Sequence, residues 1–200
     1  MNSNKGRAPD SGRGRVRIIG GEYRRRWIDV TSRPDLRPTP DRVRETVFNW
    51  LGQDLSSLRC LDLYAGSGAL GFEAASRGAA RVVLVESDRG TLQQLERSRA
   101  LLGAQRVEIV ADDALRFLRR SAERFDVVFL DPPFRQNAWP ALAEALPPRL
   151  APGARVYLEG PRPCAPAAPW RELRRGRAGE VSYQLLQWES HDSSGLPRNV

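Results

Sequence analysis

The fold of this chain is decided by residues 61–71, which read LDLYAGSGALG. A short apolar run ends in this glycine-rich turn, and a helix-forming stretch follows it. Glycines are needed where the chain reverses sharply and its backbone approaches a ligand closely. Gly66, Gly68 and Gly71 also satisfy the pattern G-x-G-x-x-G, and Glu86 lies 20 residues after Gly66. The stretch therefore predicts a nucleotide-like ligand at a strand–helix turn and leaves its identity open.

Strands alternate with helices on the carboxyl side of this turn. The candidate strands are residues 60–64, 82–86, 107–110, 125–130, 156–159, 172–177 and 181–188, and helix-like stretches lie near 69–77, 89–102, 112–121 and 138–146. Short apolar strands separated by helices predict a parallel sheet covered on both faces. The last two strands flank Gly179 and predict an antiparallel hairpin. We therefore expect an α/β fold, a Rossmann-like, mostly parallel seven-stranded sheet with a C-terminal antiparallel hairpin, which is the outline of a class I methyltransferase.

A small β-hairpin and helix are predicted before the sheet. Residues 16–19 and 27–30 are apolar runs on either side of Gly20-Gly21, which indicates a hairpin. Thr39 is the expected N-cap of the helix that follows, with Pro40 at its first position. The apolar face of that helix would consist of Val43, Val47, Trp50 and Leu51. The predicted organisation is a flexible basic arm, a hairpin-and-helix extension, a methyltransferase domain and a polar tail, at residues 1–15, 16–52, 53–190 and 191–200.

Positive charge is concentrated at the start of the chain. Of the net charge of +8, residues 1–44 contribute +7, from 12 Lys/Arg and 5 Asp/Glu. A localised basic segment is the electrostatic footprint of a polyanionic partner, although a solvated surface has the same composition. The candidate RNA-binding residues are Arg24, Arg25, Arg26, Arg37, Arg42 and Arg44. We expect Arg42 and Arg44 to lie off the apolar face of the helix, free to meet a ligand.

The composition argues against several classes of protein. No apolar run approaches the roughly 18 residues of a membrane helix, and residues 1–17 contain no stretch that resembles a signal peptide. Cys60 and Cys164 stand apart, and His191 is the only histidine, so neither a metal site nor a Ser-His-Asp mechanism is expected. We expect a cytoplasmic monomer that uses no metal and binds no membrane.

Acidic residues follow three consecutive predicted strands, and ligands of open α/β sheets bind at that edge. Asp62 would face the methionine end of a sulfonium ligand, Glu86 would accept from both ribose hydroxyls, and a carboxylate of Asp112-Asp113 would accept from an adenine amino group. A dinucleotide would need an apolar residue in place of Asp62, so the pattern favours S-adenosyl-L-methionine. The candidate cofactor-binding residues are Asp62, Tyr64, Ala65, Gly66, Ser67, Gly68, Glu86, Ser87, Asp113 and Ala114.

The most specific signal is Asp131-Pro132-Pro133-Phe134, which ends the apolar strand at 125–130. A Pro-Pro pair commonly stops a strand, but this does not explain the acid before it or the aromatic after it. The Asp131 carboxylate and the Pro132 carbonyl would accept the two N–H bonds of an exocyclic amino group, and the prolines would hold that carbonyl rigidly. Phe134 would stack on a flipped-out base. These four are the candidate catalytic residues for direct methyl transfer to a base nitrogen.

With these motifs, the chain resembles the RsmD family, bacterial methyltransferases that act on guanine N2 of 16S ribosomal RNA. The likeness runs from about Arg17 to Trp188. Its discriminating blocks are RIIGG at 17–21, LRPT at 36–39, DRVRET at 41–46 and FNWL at 48–51, because many methyltransferases share the others. The resemblance implies guanine N2 as the target, 16S ribosomal RNA, possibly within the small subunit, as the partner, and S-adenosyl-L-homocysteine as the second product. The tetrapeptide alone does not distinguish guanine N2 from adenine N6.

Other functions share parts of this pattern. DNA adenine-N6 and protein glutamine-N5 methyltransferases carry a similar loop, but 200 residues leave little room for a DNA-recognition domain, and glutamine enzymes favour Asn at the position of Asp131. A non-catalytic RNA-binding assembly factor could have kept the fold. A nicotinamide oxidoreductase would share the glycine pattern.

Overall fold

The computed structural model describes residues 13–31, 39–133 and 137–189, which form nine strands and five α-helices. The strands are β1 (Arg13–Arg17), β2 (Trp27–Thr31), β3 (Arg59–Asp62), β4 (Arg81–Glu86), β5 (Val107–Ala111), β6 (Phe125–Leu130), β7 (Leu150–Gly160), β8 (Trp170–Ala178) and β9 (Val181–Trp188). The helices are α1 (Asp41–Leu51), α2 (Ala69–Ser76), α3 (Arg89–Leu102), α4 (Ala114–Arg120) and α5 (Trp139–Ala145). None of the helices in these ranges is both long and apolar enough to cross a membrane.

Seven of the strands form one sheet in the order β5-β4-β3-β6-β7-β9-β8. Strands β3 to β7 are parallel, and β9 is antiparallel to both of its neighbours, so the predicted α/β class is confirmed. Side chains alternate between the two faces of each strand. Cys60 and Phe129 therefore belong to the core on one face, whereas Leu61 and Val128 belong to the core on the other. Both faces are covered, which is why these strands are apolar along their whole length.

The N-terminal hairpin and α1 pack on one face of this sheet. β1 and β2 are antiparallel, with Arg17 opposite Trp27, so the connection has nine residues, two more than the seven between the predicted strands at 16–19 and 27–30. Ile18 and Ile28 are fully buried and share a core with Phe48 of α1 and with the sheet. The hairpin is therefore held by apolar burial as well as by its own ladder.

Helix α1 begins at Asp41, with Pro40 at the N-cap position, and the prediction that Thr39 caps it is wrong. The Thr39 hydroxyl instead donates to Oε1 of Glu159 at 2.9 Å. Glu159 is 120 residues away and buried, so its carboxylate needs donors more than the helix end does. The contact draws the start of α1 towards the end of β7.

A buried carboxylate on α2 ties the hairpin to the sheet. Glu73 is fully buried and accepts hydrogen bonds from the backbone N–H groups of Ile19 and Gly20, both at 2.8 Å. It also accepts from Nε of Arg77 at 2.9 Å, and Nη1 of Arg44 lies 3.5 Å from Oε2. Buried charges are tolerated when they are paired and hydrogen-bonded in this way. Glu73 thus connects three separate parts of the chain.

The expectation that Arg44 is free to meet a ligand is wrong. Its side chain is fully buried, and Nη2 donates to Asp41 at 2.7 Å and to the carbonyl of Arg17 at 2.8 Å. The buried stripe of α1 is wider than predicted because it includes Arg44 and Phe48, one helical turn apart. Arg44 therefore stabilises the extension and is not an RNA contact.

Candidate active site

The glycine-rich turn between β3 and α2 holds its backbone against the sheet. Gly66 and Gly68 have φ of 50° and 77°, in the left-handed region that favours glycine. Gly68 precedes the first residue of α2, and a Cβ there would lie 2.6 Å from the Phe72 ring and 2.8 Å from Leu95. Ala65 and Ser67 of the turn are buried as well. Because the turn follows β3, it lies at the carboxyl edge of the sheet.

Glu86 ends β4 beside this turn. Its Oε2 accepts from the backbone N–H of Gly66 at 3.1 Å, and its Oε1 accepts from the N–H groups of Ser87 and Asp88 at 2.8 and 2.9 Å. The carboxylate is half-buried, and of its roughly four acceptor sites one remains for a further donor, on Oε2. The structure thus brings Gly66, Glu86 and Ser87 together at one point of the sheet edge.

The acids after β5 have local partners. Asp113 is exposed and caps α4 by accepting from the N–H of Arg116 at 3.0 Å, while Ala114 is buried behind it. Asp112 is paired with the Arg116 guanidinium, and that hydrogen bond is the main cause of its lowered pKa. Tyr64 is half-buried across the turn, and burial, together with the charge of Asp113, raises its pKa.

Asp62 is buried at the end of β3, on the same face of the sheet as the hairpin and α1. Its Oδ2 accepts from the N–H of Gly71 at 3.2 Å. Burial raises the pKa of Asp62 to about 7, against the opposing hydrogen bond from Gly71, and the charge of Glu86 adds to the rise. A cation bound close to this carboxyl group would lower its pKa and favour the ionised form.

Asp131 and Pro132 follow β6, the neighbour of β3. Burial raises the pKa of Asp131 well above its ordinary value, and the charges of Glu159 and Asp62 raise it further. Pro132 is buried and Pro133 is exposed, so the pair forms the rim of the site. Phe134, the fourth predicted catalytic residue, lies outside the described residues.

Glu159 was missed in the sequence, although it belongs to this group of acids. It is the second-last residue of the last parallel strand, β7, and it accepts from the hydroxyls of Tyr157 at 2.7 Å and Thr39 at 2.9 Å. The rule that singled out the acids after β3, β4 and β5 would also have found Glu159. Among the residues that the structure describes, Asp62, Asp131 and Glu159 have no arginine or lysine partner within ion-pair distance.

The predicted RNA-binding arginines separate into exposed and structural residues. Arg24, Arg25 and Arg42 are exposed, and Arg25 adopts a positive φ of 69° in the hairpin loop. Arg26 is exposed as well, but its guanidinium donates to the last carbonyls of α3, at 3.0 Å to that of Leu102. Favourable contact of a cation with a helix carboxyl end gives Arg26 a structural role. Arg37 lies outside the residues that the structure describes.

Comparison with known proteins agrees with this geometry. A family model described as "Conserved hypothetical protein 95" matches residues 16–187. The chain is 43% identical to Ribosomal RNA small subunit methyltransferase D of Escherichia coli (strain K12) over 190 residues, which cover 92% of this chain and 96% of that protein. It is 40% identical to the protein of the same name from Haemophilus influenzae, over 88% of this chain and 95% of the relative.

Solved structures with a similar fold include proteins from two bacteria. The structure of the E. coli protein yhhF superimposes with a TM-score of 0.80 at 43% identity, and covers 88% of this chain and 99% of its own. An RNA methyltransferase from Salinibacter ruber, solved with S-adenosyl-L-homocysteine, shares the fold with a TM-score of 0.57 at 21% identity, over 82% of this chain and 98% of its own. The chain therefore belongs to the RsmD family and has the fold of S-adenosylmethionine-dependent methyltransferases.

Proposed function

We propose that this chain transfers a methyl group from S-adenosyl-L-methionine to the exocyclic N2 amino group of a guanine in small-subunit ribosomal RNA. The observation that carries the proposal is the position of Asp131, a half-buried acid that follows the strand next to the glycine-rich turn and Asp62. A ribosomal RNA substrate is supported by the names of relatives that the chain matches over nearly its whole length. Such a substrate would place the protein in the cytoplasm.

The charges at the sheet edge fit the proposed cofactor. Asp62 and Glu159 are buried and Asp131 is half-buried, and none of the three has a cationic partner among the described residues. Burial raises the pKa of all three acids, and the charges of neighbouring acids raise those of Asp62 and Asp131 further. A sulfonium and an ammonium group would relieve that repulsion, whereas a pyrophosphate would increase it. Glu86, beside the turn, keeps one acceptor site on Oε2 that a ribose hydroxyl could use. The same charge argument disfavours a nicotinamide dinucleotide.

S-Adenosylmethionine supplies an already activated methyl group, so the task of the chain is to orient the nitrogen and exclude water. The nitrogen of an exocyclic amino group is a poor nucleophile because its lone pair is delocalised into the ring. Asp131 and the Pro132 carbonyl would accept its two N–H bonds and draw the nitrogen out of that conjugation. Two hydrogen bonds to fixed acceptors would favour the transition state over the ground state.

The proton on the nitrogen is lost after methyl transfer, when the group has become acidic. Asp131, with its raised pKa, can take that proton at its carboxylate, which a carboxylate of ordinary acidity would do less readily. The base must leave its neighbours to reach Asp131, since exocyclic groups inside a duplex are not accessible. The exposed Arg24, Arg25 and Arg42 would hold the RNA backbone while this happens.

The experiment that tests this proposal compares three side chains at position 131. Asp131→Ala removes the acceptor and is expected to reduce methyl transfer to small-subunit RNA by orders of magnitude. Asp131→Asn keeps one acceptor oxygen and is expected to fall between the alanine variant and the parent. Affinity for S-adenosylmethionine, measured by calorimetry, should stay within a few-fold in both variants, because the acceptor acts on the nitrogen.

Asp126 offers a matched control, since it lies on the same strand at the opposite end and accepts from the N–H of Arg59 at 2.8 Å. Asp126→Ala should transfer methyl groups at close to the parental rate. A near-parental rate in Asp131→Ala would show that the tetrapeptide is structural. No transfer by the parent, together with tight RNA binding, would favour the non-catalytic assembly factor.

A further inference from the structure

Glu159 and Asp131 lie side by side at the carboxyl edge of the sheet. Leu130 of β6 is paired with Leu158 of β7 in parallel register, so the next residue of each chain segment is the acid. Both acids fall on the face of the sheet that carries Tyr157. The charge of Glu159 is the largest electrostatic contribution to the raised pKa of Asp131, which is consistent with direct proximity.

The hydrogen bonds of Glu159 use only one of its two oxygens. Oε1 accepts from the Thr39 hydroxyl at 2.9 Å and from the Tyr157 hydroxyl at 2.7 Å. Within residues 13–31, 39–133 and 137–189, no donor lies within hydrogen-bond distance of Oε2. A carboxylate has about four acceptor sites, so the second oxygen keeps its full capacity for a ligand.

A purely structural role does not account for this arrangement. Glu159 is only 5% exposed, and burial of a carboxylate without a cation or a full set of donors is costly. Glutamine could accept the same two hydroxyl hydrogen bonds without that cost. Burial raises the pKa of Glu159, and a partner that brings its own donors to the side on which Asp131 lies would favour the charged carboxylate.

We propose that Glu159 accepts the N1–H group of the target guanine while Asp131 accepts an N–H of its N2 amino group. This inference rests on the proposed guanine substrate and assigns the residue that selects it. The edge of guanine presents N1–H and the N2 amino group next to each other, so two adjacent acids meet only donors. The corresponding edge of adenine places the N1 acceptor beside its amino group, and an acid facing that nitrogen would be repelled.

The test uses a base that keeps the methylated amino group and changes N1 from a donor to an acceptor. Its 6-oxo group also becomes an amino group, so the Glu159 variant identifies the part of the discrimination that depends on N1. 2,6-Diaminopurine carries the same 2-amino group as guanine, but its N1 is an acceptor. Small-subunit RNA with either base ligated in at the target position is compared by kcat/KM. Binding of each RNA is measured in parallel with S-adenosylhomocysteine present, so that discrimination is read without turnover. The parent is expected to prefer guanine by about ten- to a hundredfold, the range for one matched pair of base contacts.

Glu159→Gln is expected to abolish or invert this preference. The hydroxyls of Thr39 and Tyr157 both donate, so they would fix the amide oxygen on their side and leave the amide NH₂ facing the base. That NH₂ can donate to N1 of diaminopurine and opposes the N1–H of guanine. Glu108→Gln is the matched control, because Glu108 is an exposed acid near the amino end of β5, away from the carboxyl edge of the sheet. The preference of this variant for guanine should equal that of the parent.

Thr39→Val provides a second variant that removes one of the two donors and little else. It should weaken the guanine preference without inverting it, because Glu159 keeps its charge but is held less firmly. Equal losses on both RNAs in Glu159→Gln and in Thr39→Val, with the ratio unchanged, would overturn the inference and make Glu159 structural. If the parent methylates neither RNA, the guanine assignment itself fails, and the inference fails with it. A parent that methylates guanine but discriminates no better than its Gln variant refutes the inference alone.

Discussion

Replacing Glu73 with glutamine is expected to destabilise the protein strongly, because every neighbour of that side chain is a donor. The backbone N–H groups of Ile19 and Gly20 and the guanidinium groups of Arg77 and Arg44 all face its two oxygens. An amide has one oxygen for these donors, and its NH₂ group would oppose them. Arg77 would also keep its charge in a buried position without a counterion, and Arg44 would keep only Asp41.

Breaking a buried ion pair by removing one partner costs about 3–5 kcal/mol. For a chain of this size each kcal/mol lowers the melting temperature by about 2–4 °C, so Glu73→Gln should lower it by about 6–20 °C. Thermal and urea unfolding followed by circular dichroism would measure this loss. Hydrogen exchange should show the largest loss of protection at the amides of Ile19 and Gly20, whereas amides in β6 should change less.

Glu96→Gln is the matched control for this prediction. Glu96 pairs with Arg99 at 2.9 Å on α3, and both side chains are more than 40% exposed. Exposed pairs contribute about 0–1 kcal/mol, so this variant should unfold close to the parent. If Glu73→Gln were no less stable than Glu96→Gln, the account of Glu73 as the connection between hairpin and sheet would be wrong.

Three further predictions concern the ligands. Glu86→Ala should weaken S-adenosylmethionine binding about ten- to a hundredfold, because it removes charge-assisted hydrogen bonds of about 1.5–3 kcal/mol each. Unchanged affinity in calorimetry would exclude Glu86 from the cofactor site. Arg24→Ala combined with Arg25→Ala should flatten the salt dependence of RNA binding by about one to two units, at about 0.7–0.9 per phosphate contact, and cofactor affinity should not change. An unaltered salt slope would mean that these arginines only solvate the surface. Because Asp62 has its pKa raised to about 7, it is largely protonated below that pH, so binding of the cationic cofactor should release a proton and tighten as pH rises from 6 to 8. Calorimetry in two buffers of different ionisation enthalpy would detect that proton, and its persistence in Asp62→Asn would contradict the assignment.

Arg26 is left out of the variant that tests RNA binding because its side chain has a structural contact. Arg26, which the sequence grouped with Arg24 and Arg25, holds the carboxyl end of α3 through the carbonyls of Leu101 and Leu102. A triple variant would mix a loss of stability with a loss of RNA affinity. The double variant avoids this, and Arg26→Ala then serves separately to measure the contribution of the helix contact.

The strands and the mostly parallel sheet could be predicted because their signals are local, whereas the order of the strands in the sheet was not predicted. Each parallel strand contains a short apolar run, and the glycine pattern marks where the chain reverses. The position of the site follows from the same information, since ligands bind at the carboxyl ends of parallel strands. Asp62, Glu86 and Asp131 were therefore identifiable without coordinates, and their separate roles remain predictions.

The errors concern side chains whose partners are distant in the chain. Thr39 meets an acid 120 residues away, and Arg44 lies 29 residues from Glu73. No local pattern distinguishes an arginine that points into solvent from one that is buried against a carboxylate on another element. Helical position predicted that Arg44 lies off the apolar face, but the buried stripe of α1 includes Arg44, which contacts Glu73 of α2 and the carbonyl of Arg17.

The most direct test of the proposed function is the identity of the methylated nucleoside. Small-subunit ribosomal RNA from a strain that lacks this protein would be incubated with the protein and S-adenosylmethionine, digested, and analysed by mass spectrometry with site mapping. We predict one new N2-methylguanosine, which is absent when Asp131→Ala replaces the parent. N6-Methyladenosine in its place, or no new methylated nucleoside, would contradict the account.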